Sequence, residues 1–247
     1  MRLREWERGI AVEDPTAPES AVYLWFYEWH LFDAVVPGEH TRGSFRHPRE
    51  VAADAARIEP PGMKLEADTA EDGAWLTLTV ENTSEHDWPE EAAIIPCFNP
   101  GPKDAPNTNF QDHDHTRTYF LGEDGLRLLE QREIHFNHAL AERVTRWAND
   151  GDYEFTYKWP HSDHEAMGGI LVRESVDGKW VAAIAWDRYL SAQGHNPWNC
   201  MHLSIRVGAL KPGETKTVRG RIYVMQADKI DVLKRYRSEF CIQTDAP

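Results

Sequence analysis

Met201-His-Leu-Ser-Ile-Arg-Val207 alternates without a break. Met201, Leu203, Ile205 and Val207 fall on one side of an extended chain, with His202, Ser204 and Arg206 on the other. Leu210-Lys-Pro-Gly-Glu214 follows as a turn, and Thr215-Lys-Thr-Val-Arg-Gly-Arg-Ile-Tyr-Val-Met225 reads as the next strand. Together they predict an antiparallel hairpin. Working outward, Gly168-Gly-Ile-Leu-Val-Arg173, the turn Val176-Asp-Gly-Lys179 and Trp180-Val-Ala-Ala-Ile-Ala-Trp186 predict a second hairpin. Trp75-Leu-Thr-Leu-Thr-Val80 sends Leu76, Leu78 and Val80 to one face between the turn Glu71-Asp-Gly73 and the polar stop Glu81-Asn-Thr-Ser84. Val22 to Phe32 is a first long strand, rich in aromatic residues that favour pleated sheet. Asp228 can N-cap a short helix over Lys229 to Phe240, with Ile230, Leu233 and Tyr236 near one face. Glu133 to Ala148 fits a helix or a strand ending in a loop, and residues 97–118 read as a long Pro/Asn/Asp/His loop. Strands at short spacing with few helices predict an all-β antiparallel sandwich, of supersandwich or jelly-roll type, as one domain over residues 1–247.

The charge balance narrows the partners. Forty-one acidic against 27 basic residues give a formal charge of -14, with no Lys/Arg-rich stretch, so nucleic acid and an anionic membrane are not expected. No run approaches the roughly 18 apolar residues of a membrane-crossing helix. Met1 to Pro15 has basic residues but no apolar core of a signal peptide. Cys97, Cys200 and Cys241 are widely spaced and odd in number, which is neither a disulfide framework nor a CxxC knuckle. They read as small buried hydrophobes in a reducing cytoplasm, although a secreted chain with a trimmed leader reads the same way.

The aromatic first strand, the late strand ending in a polar loop, and the closing Gly208-Ala-Leu-Lys-Pro-Gly-Glu-Thr-Lys-Thr-Val-Arg-Gly-Arg-Ile-Tyr-Val224 together resemble the β-supersandwich of galactose-mutarotase-like proteins. That group includes aldose epimerases, some polysaccharide lyase domains and glycosidase-associated domains. The resemblance implies a sandwich that handles sugars. It implies no catalytic residue, because no complete mutarotase signature is present, and fold alone does not give function.

Twelve histidines are the unusual feature of the composition, several of them in pairs. His113 and His115 would share a face of a strand, while His135 and His138 would share one on a helix or a bend. With His161 and His164 as a further pair, they are candidate ligands for one divalent metal ion, although hydrogen-bonded surface histidines give the same pattern. No nucleotide-binding glycine motif, nucleophile elbow or HExxH is present.

The segment Ser191-Ala-Gln-Gly-His-Asn-Pro-Trp-Asn-Cys-Met-His202 crosses one end of the sheet. Gln193, Asn196, Asn199, His195 and His202 supply hydrogen-bonding groups, and Trp198 a flat ring. That mixture suits a sugar, whose hydroxyls need paired hydrogen bonds and whose C–H face stacks on an aromatic; a structural loop with Trp198 in the core is the competing reading. In Tyr23-Leu-Trp-Phe-Tyr-Glu-Trp-His30, Glu28 and His30 project from an otherwise apolar face, where His40, Arg42 and His47 downstream could meet them, and Trp29 lies on the opposite side; a core strand whose polar ends reach the rim is the competing and simpler reading. Arg117 and Tyr119 leave the long loop, and Tyr153, Tyr157, Lys158 and Trp159 precede His161. A β-elimination on a uronic acid needs a cation for the carboxylate, a base and an acid, for which Arg117 or a metal, a histidine and a tyrosine such as Tyr119 are suited.

The expectation is therefore a carbohydrate-active protein, an acid–base enzyme of lyase or epimerase type. His195, His202, Glu28, His30 and Tyr119 are its candidate catalytic residues. Trp198, Asn196, Gln193, Arg117 and Trp29 are candidate sugar contacts, with His135, His138, His113 and His115 for the metal. A non-catalytic carbohydrate-binding sandwich or accessory subunit is the alternative from another class, distinguished by binding that survives loss of the histidines. A structural protein would show a broad apolar patch and bind no sugar. Oligomeric state is not legible.

Overall fold

The computed structural model describes residues 1–6, 9–25, 48–59, 61–102, 108–130, 132–150, 160–194 and 199–240. The larger of its sheets has nine antiparallel strands. Their order is β11 (Gly125–Leu128), β10 (Thr118–Gly122), β13 (Ile170–Glu174), β14 (Val181–Trp186), β17 (Thr215–Met225), β7 (Gly73–Glu81), β6 (Met63–Ala70), β5 (Ala55–Ile58) and β4 (Arg49–Val51). Facing it are two four-stranded runs: β1 (Arg2–Trp6), β2 (Gly9–Asp14), β3 (Ala17–Trp25) and β9 (Cys97–Asn99), and β12 (Ile134–Phe136), β15 (Tyr189–Gln193), β16 (His202–Arg206) and β8 (Ala93–Ile94).

These runs are halves of one sheet. Ile94 lies opposite Ile205, and Phe98 and Met201 exchange both backbone hydrogen bonds at 3.1 and 2.7 Å in the same register. β8 and β9 are thus successive pieces of a single strand that runs beside residues 201–206 on one flank and β3 on the other. The result is a seven-stranded sheet packed on the nine-stranded one.

One buried cluster fills the space between the sheets, with Leu24, Phe98, Met201, Leu203 and Ile205 meeting Leu76, Leu78, Ile184, Trp186 and Ile222. Leu76, Leu78 and Val80 point inward as the alternation requires. All six residues of β14 are buried, because the helix α2 (Lys229–Glu239) covers the outer face of the large sheet through Val232, Leu233 and Tyr236. Asp228 caps that helix, its Oδ1 accepting from the amides of Ile230 and Asp231 at 2.7 and 3.0 Å. The helix α1 (Ala141–Asp150) covers one end of the small sheet's outer face, where Leu140, Ala141 and Val144 pack on Ile134, Phe136, Leu190 and Ala93. No helix among the described residues is long and apolar enough to cross a membrane.

The sandwich matches the expectation, and the pairing corrects it in places. β16 and β17 are not a hairpin. β17 lies between β14 and β7, both of its edges taken, while β16 lies in the other sheet. Residues 207–214 therefore cross between sheets, held by the Trp88–Leu210 bridge and by the Gly213 amide donating to the Asn82 carbonyl at 2.8 Å. Cys97–Asn99 is strand rather than loop. The 133–148 segment holds both forms, β12 and then α1. Ile230 is exposed, and Val232 takes its place on the buried face of α2.

Candidate functional site

Strand register lines up a row of side chains across the outer face of the seven-stranded sheet. Trp25 pairs with Cys97, Cys97 lies opposite His202 in the Phe98–Met201 register, and His202 pairs with Gln193. At about 4.8 Å per strand, Trp25 to Gln193 spans roughly 14 Å. The next row on the same face runs Tyr23, Asn99, Cys200. Alternation explains the grouping: Leu24, Phe98 and Met201 point into the core, so Tyr23, Trp25, Cys97, Asn99, Cys200 and His202 must point away from it.

Aromatic rings bound one side of the row. On the far side of Trp25 the pairing continues to Gly9 and Trp6, and Gly9 contributes no side chain. The Trp6 and Trp25 rings therefore meet across it with centroids 5.4 Å apart, and Trp6 lies 4.7 Å from Tyr23. Trp25 and Tyr23 are buried while Trp6 is half-buried, so Trp6 offers ring surface on a rigid backing.

Beneath the row lies a polar network inside the core. Arg173 on β13 is wholly buried. Its Nε donates to Thr118 Oγ1 at 2.8 Å, Nη1 to the Asn199 carbonyl at 2.9 Å, and Nη2 reaches His115 Nδ1 at 3.2 Å. Arginine has no acceptor, so His115 Nδ1 accepts and the ring carries its hydrogen on Nε2. Burial lowers the Arg173 pKa to about 10, against the opposing pull of Asp112 and Cys200. Burial pushes the Asp112 carboxyl up, but the Arg117 amide, the Arg173 charge and the hydroxyls of Thr118 and Thr116 outweigh it and hold it below the usual carboxylate range. His115 and Asn199 both adopt left-handed backbone, at φ 52° and 66°. Such conformations persist where surrounding contacts fix them. Gly194 passes close by, and a Cβ on it would stand 2.5 Å from Leu129 Cδ2 and 3.0 Å from His115 Cε1, so one of those side chains would have to shift.

The residues read from the sequence divide accordingly. Gln193, His202 and His115 come to this end of the sandwich, with His115 below the sheet rather than on it. His195, Asn196, Trp198, Glu28, Trp29 and His30 lie outside the described residues, as do His40, Arg42, His47, Tyr153, Tyr157, Lys158, Trp159 and Cys241.

The proposed histidine pairs separate. His113 is exposed and His115 buried, because they sit in turns, not on a strand. His135 is buried, stacked on Phe120 at 4.0 Å, its Nδ1 donating to the His164 carbonyl at 2.7 Å, while His138 is exposed in the turn before α1. Burial holds the His135 imidazole below its ordinary pKa. Its Nε2 has no hydrogen-bond partner among the described residues.

Tyr119 is turned to the opposite side of the molecule, against Lys229 of α2, whose Nζ lies 4.5 Å from its ring. Arg117 is folded back on its own loop, donating to the Gln111 carbonyl. Neither is on the row.

A second polar site lies at the edge of the sandwich. His138 and His164 line a cleft of about 300 Å³ with Glu123, Arg127, Asp163 and Glu165. Glu130 beside it is pushed up by burial and by Glu133, whereas Glu133 is held down by the Ser162 hydroxyl. Among the described residues Met167 is the one apolar side chain lining this cleft, and no Phe, Tyr or Trp ring lines it. Among the described residues one group of three potential metal ligands converges, Cys97, Cys200 and His202, with donor atoms within 4.8 Å of one another. The cysteines, read from sequence as hydrophobes, are indeed buried but stand beside an imidazole. The available signal was Cys200-Met-His202, two ligand types on one face of a strand; what was missing was the strand at Cys97.

No protein-family model and no curated protein matches the chain. Among solved structures it is similar to a galactose mutarotase-like protein from Clostridium acetobutylicum, with 10% identity and a TM-score of 0.41 over 90% of this chain and 87% of that one. It is also similar to a galactose mutarotase-like protein from Lactobacillus casei, with 12% identity and a TM-score of 0.39 over 91% of this chain and 99% of that one. These proteins are of the group that the closing strands resemble in sequence.

Proposed function

We propose that the outer face of the seven-stranded sheet binds a sugar or oligosaccharide, and that the protein is an acid–base enzyme of epimerase type. The observation that carries this reading is the row itself, an imidazole between a carboxamide and an aromatic wall. A sugar needs hydrogen-bonding groups for its hydroxyls and a ring face for its C–H surface, and Gln193, His202 and Trp6 supply those types. Epimerisation at the anomeric carbon takes a proton from O1 and gives one to the ring oxygen, with no net transfer, so two proton-handling groups suffice. His202 and, from the same segment of sequence, His195 fill those roles in this reading. A lyase is less well supported, because a uronate carboxylate needs a cation and Arg117, the arginine expected for it, donates into its own loop.

The aromatic cluster also favours a second reading, a binding module without turnover. Exchange spectroscopy of anomeric interconversion across a panel of aldoses tests the two together. The epimerase reading expects acceleration that falls at least about 100-fold in His202→Ala, with circular dichroism unchanged. Binding that survives His202→Ala but is lost in Trp6→Ala, without any acceleration by the wild type, selects the module. Neither binding nor acceleration overturns both.

A further inference from the structure

We infer that Cys97, Cys200 and His202 form a binding site for a thiophilic transition-metal ion of the zinc class, with two thiolates and an imidazole as ligands and a fourth position open. The sheet builds the site. Cys97 and His202 are directly opposed, next to the hydrogen-bonded Phe98–Met201 pair, and Cys200 lies on the same face diagonal to Cys97. Opposed residues outside a hydrogen-bonded pair bring their side chains closest in an antiparallel ladder. Their donor atoms already lie within 4.8 Å. Zinc–sulfur bonds of about 2.3 Å and zinc–nitrogen bonds of about 2.0–2.1 Å set tetrahedral donors roughly 3.6–3.8 Å apart. Closure by about 1 Å is within the reach of side-chain rotation on a fixed backbone.

The donor set decides the ion. Two soft sulfurs and an imidazole favour zinc, copper(I) or cobalt over magnesium and calcium, which take oxygen. Charge points the same way. Two buried thiolates would be costly alone, and a dication neutralises both while the two thiol protons pass to solvent. Asn99 Nδ2, 3.5 Å from Cys200 Sγ, donates to that sulfur from outside the ligand set. Asn199, immediately before Cys200, is fixed by Arg173 and by its own Nδ2 donating to the Gly101 carbonyl at 3.0 Å. Three protein ligands are the number found where a metal keeps a position for water or substrate oxygen. The metal would take His202 out of proton transfer and leave that work to His195 or to bound water. The inference goes beyond the sugar reading and does not rest on it.

The test is metal analysis of the full chain, purified without chelator under reducing conditions and then equilibrated with zinc or cobalt. The expected result is about one equivalent per chain. The cobalt form should show thiolate-to-metal charge-transfer absorption, which Cys97→Ser and Cys200→Ser each diminish and His202→Ala alters. Affinity should fall at least about 100-fold in each variant. Absence of stoichiometric metal and of the charge-transfer band in the wild type overturns the inference, whether or not the variants fold. So does a Cys97–Cys200 disulfide that persists in the presence of reductant, or metal retained in the Cys97→Ser/Cys200→Ser double variant. Metal bound as expected with no sugar exchange would leave this site standing and remove the epimerase reading instead.

Discussion

Arg173 carries a charge through the interior at the point where the two sheets meet, and three acceptors from two segments, residues 115–118 and Asn199, converge on it. Replacing it with methionine removes the positive charge 4.0 Å from the buried Asp112 carboxylate and takes a donor from the Asn199 carbonyl. Arg173→Met should therefore lose about 3–5 kcal/mol in urea unfolding. Arg173→Lys should recover only part of that, because one ammonium cannot serve the same fork; a loss within error for Arg173→Met would mean the network is not structural. His135 gives a pH dependence. Burial lowers its folded pKa, so the unfolded chain takes up a proton that the folded chain refuses. Its contribution is complete above the ordinary imidazole pKa of about 6.5 and is lost as pH falls below it. Unfolding free energy measured between about pH 7.5 and 5 should thus fall less steeply in His135→Phe than in the wild type; identical slopes would refute the assignment.

At the scale of elements, alternation made strands and buried faces legible, but alternation does not name a strand's partner. The turn Leu210–Glu214 has the chemistry of a hairpin, yet β17 has both edges occupied and β16 belongs to the facing sheet. The α2 cap was legible because an aspartate N-cap is a local signal; Asp228→Ala should cost about 1 kcal/mol and speed amide exchange at Ile230 and Asp231. Close approach between strands was not legible. Gly220 on β17 faces Trp186 on β14, and a Cβ there would run into the indole ring. Gly220→Ala should cost about 1–3 kcal/mol, and a thermally neutral variant would show that Trp186 can shift. β1 and β2 escaped sequence reading because charges crowd the exposed face of β1, although Ile10 and Val12 are fully buried.

At the scale of the molecule, the sandwich was readable in one sequence, and so was the passage of residues 191–202 from one strand to the next. The convergence of that segment with Cys97 was not, because it depends on β9 joining two half-sheets through one backbone pair between residues about a hundred positions apart. The histidine pairs failed as pairs for the same reason: spacing along the chain places His135 and His138 together, whereas β12 buries one and the following turn exposes the other. Sugar binding is proposed at the row from Trp25 to Gln193. A crystal structure of the protein soaked with the aldose that gives the strongest exchange response tests it most directly. A sugar ring is expected on the outer face of the seven-stranded sheet, within hydrogen-bond reach of His202 and Gln193. A ring in the edge cleft beside His138 and His164, with that face empty, would contradict it.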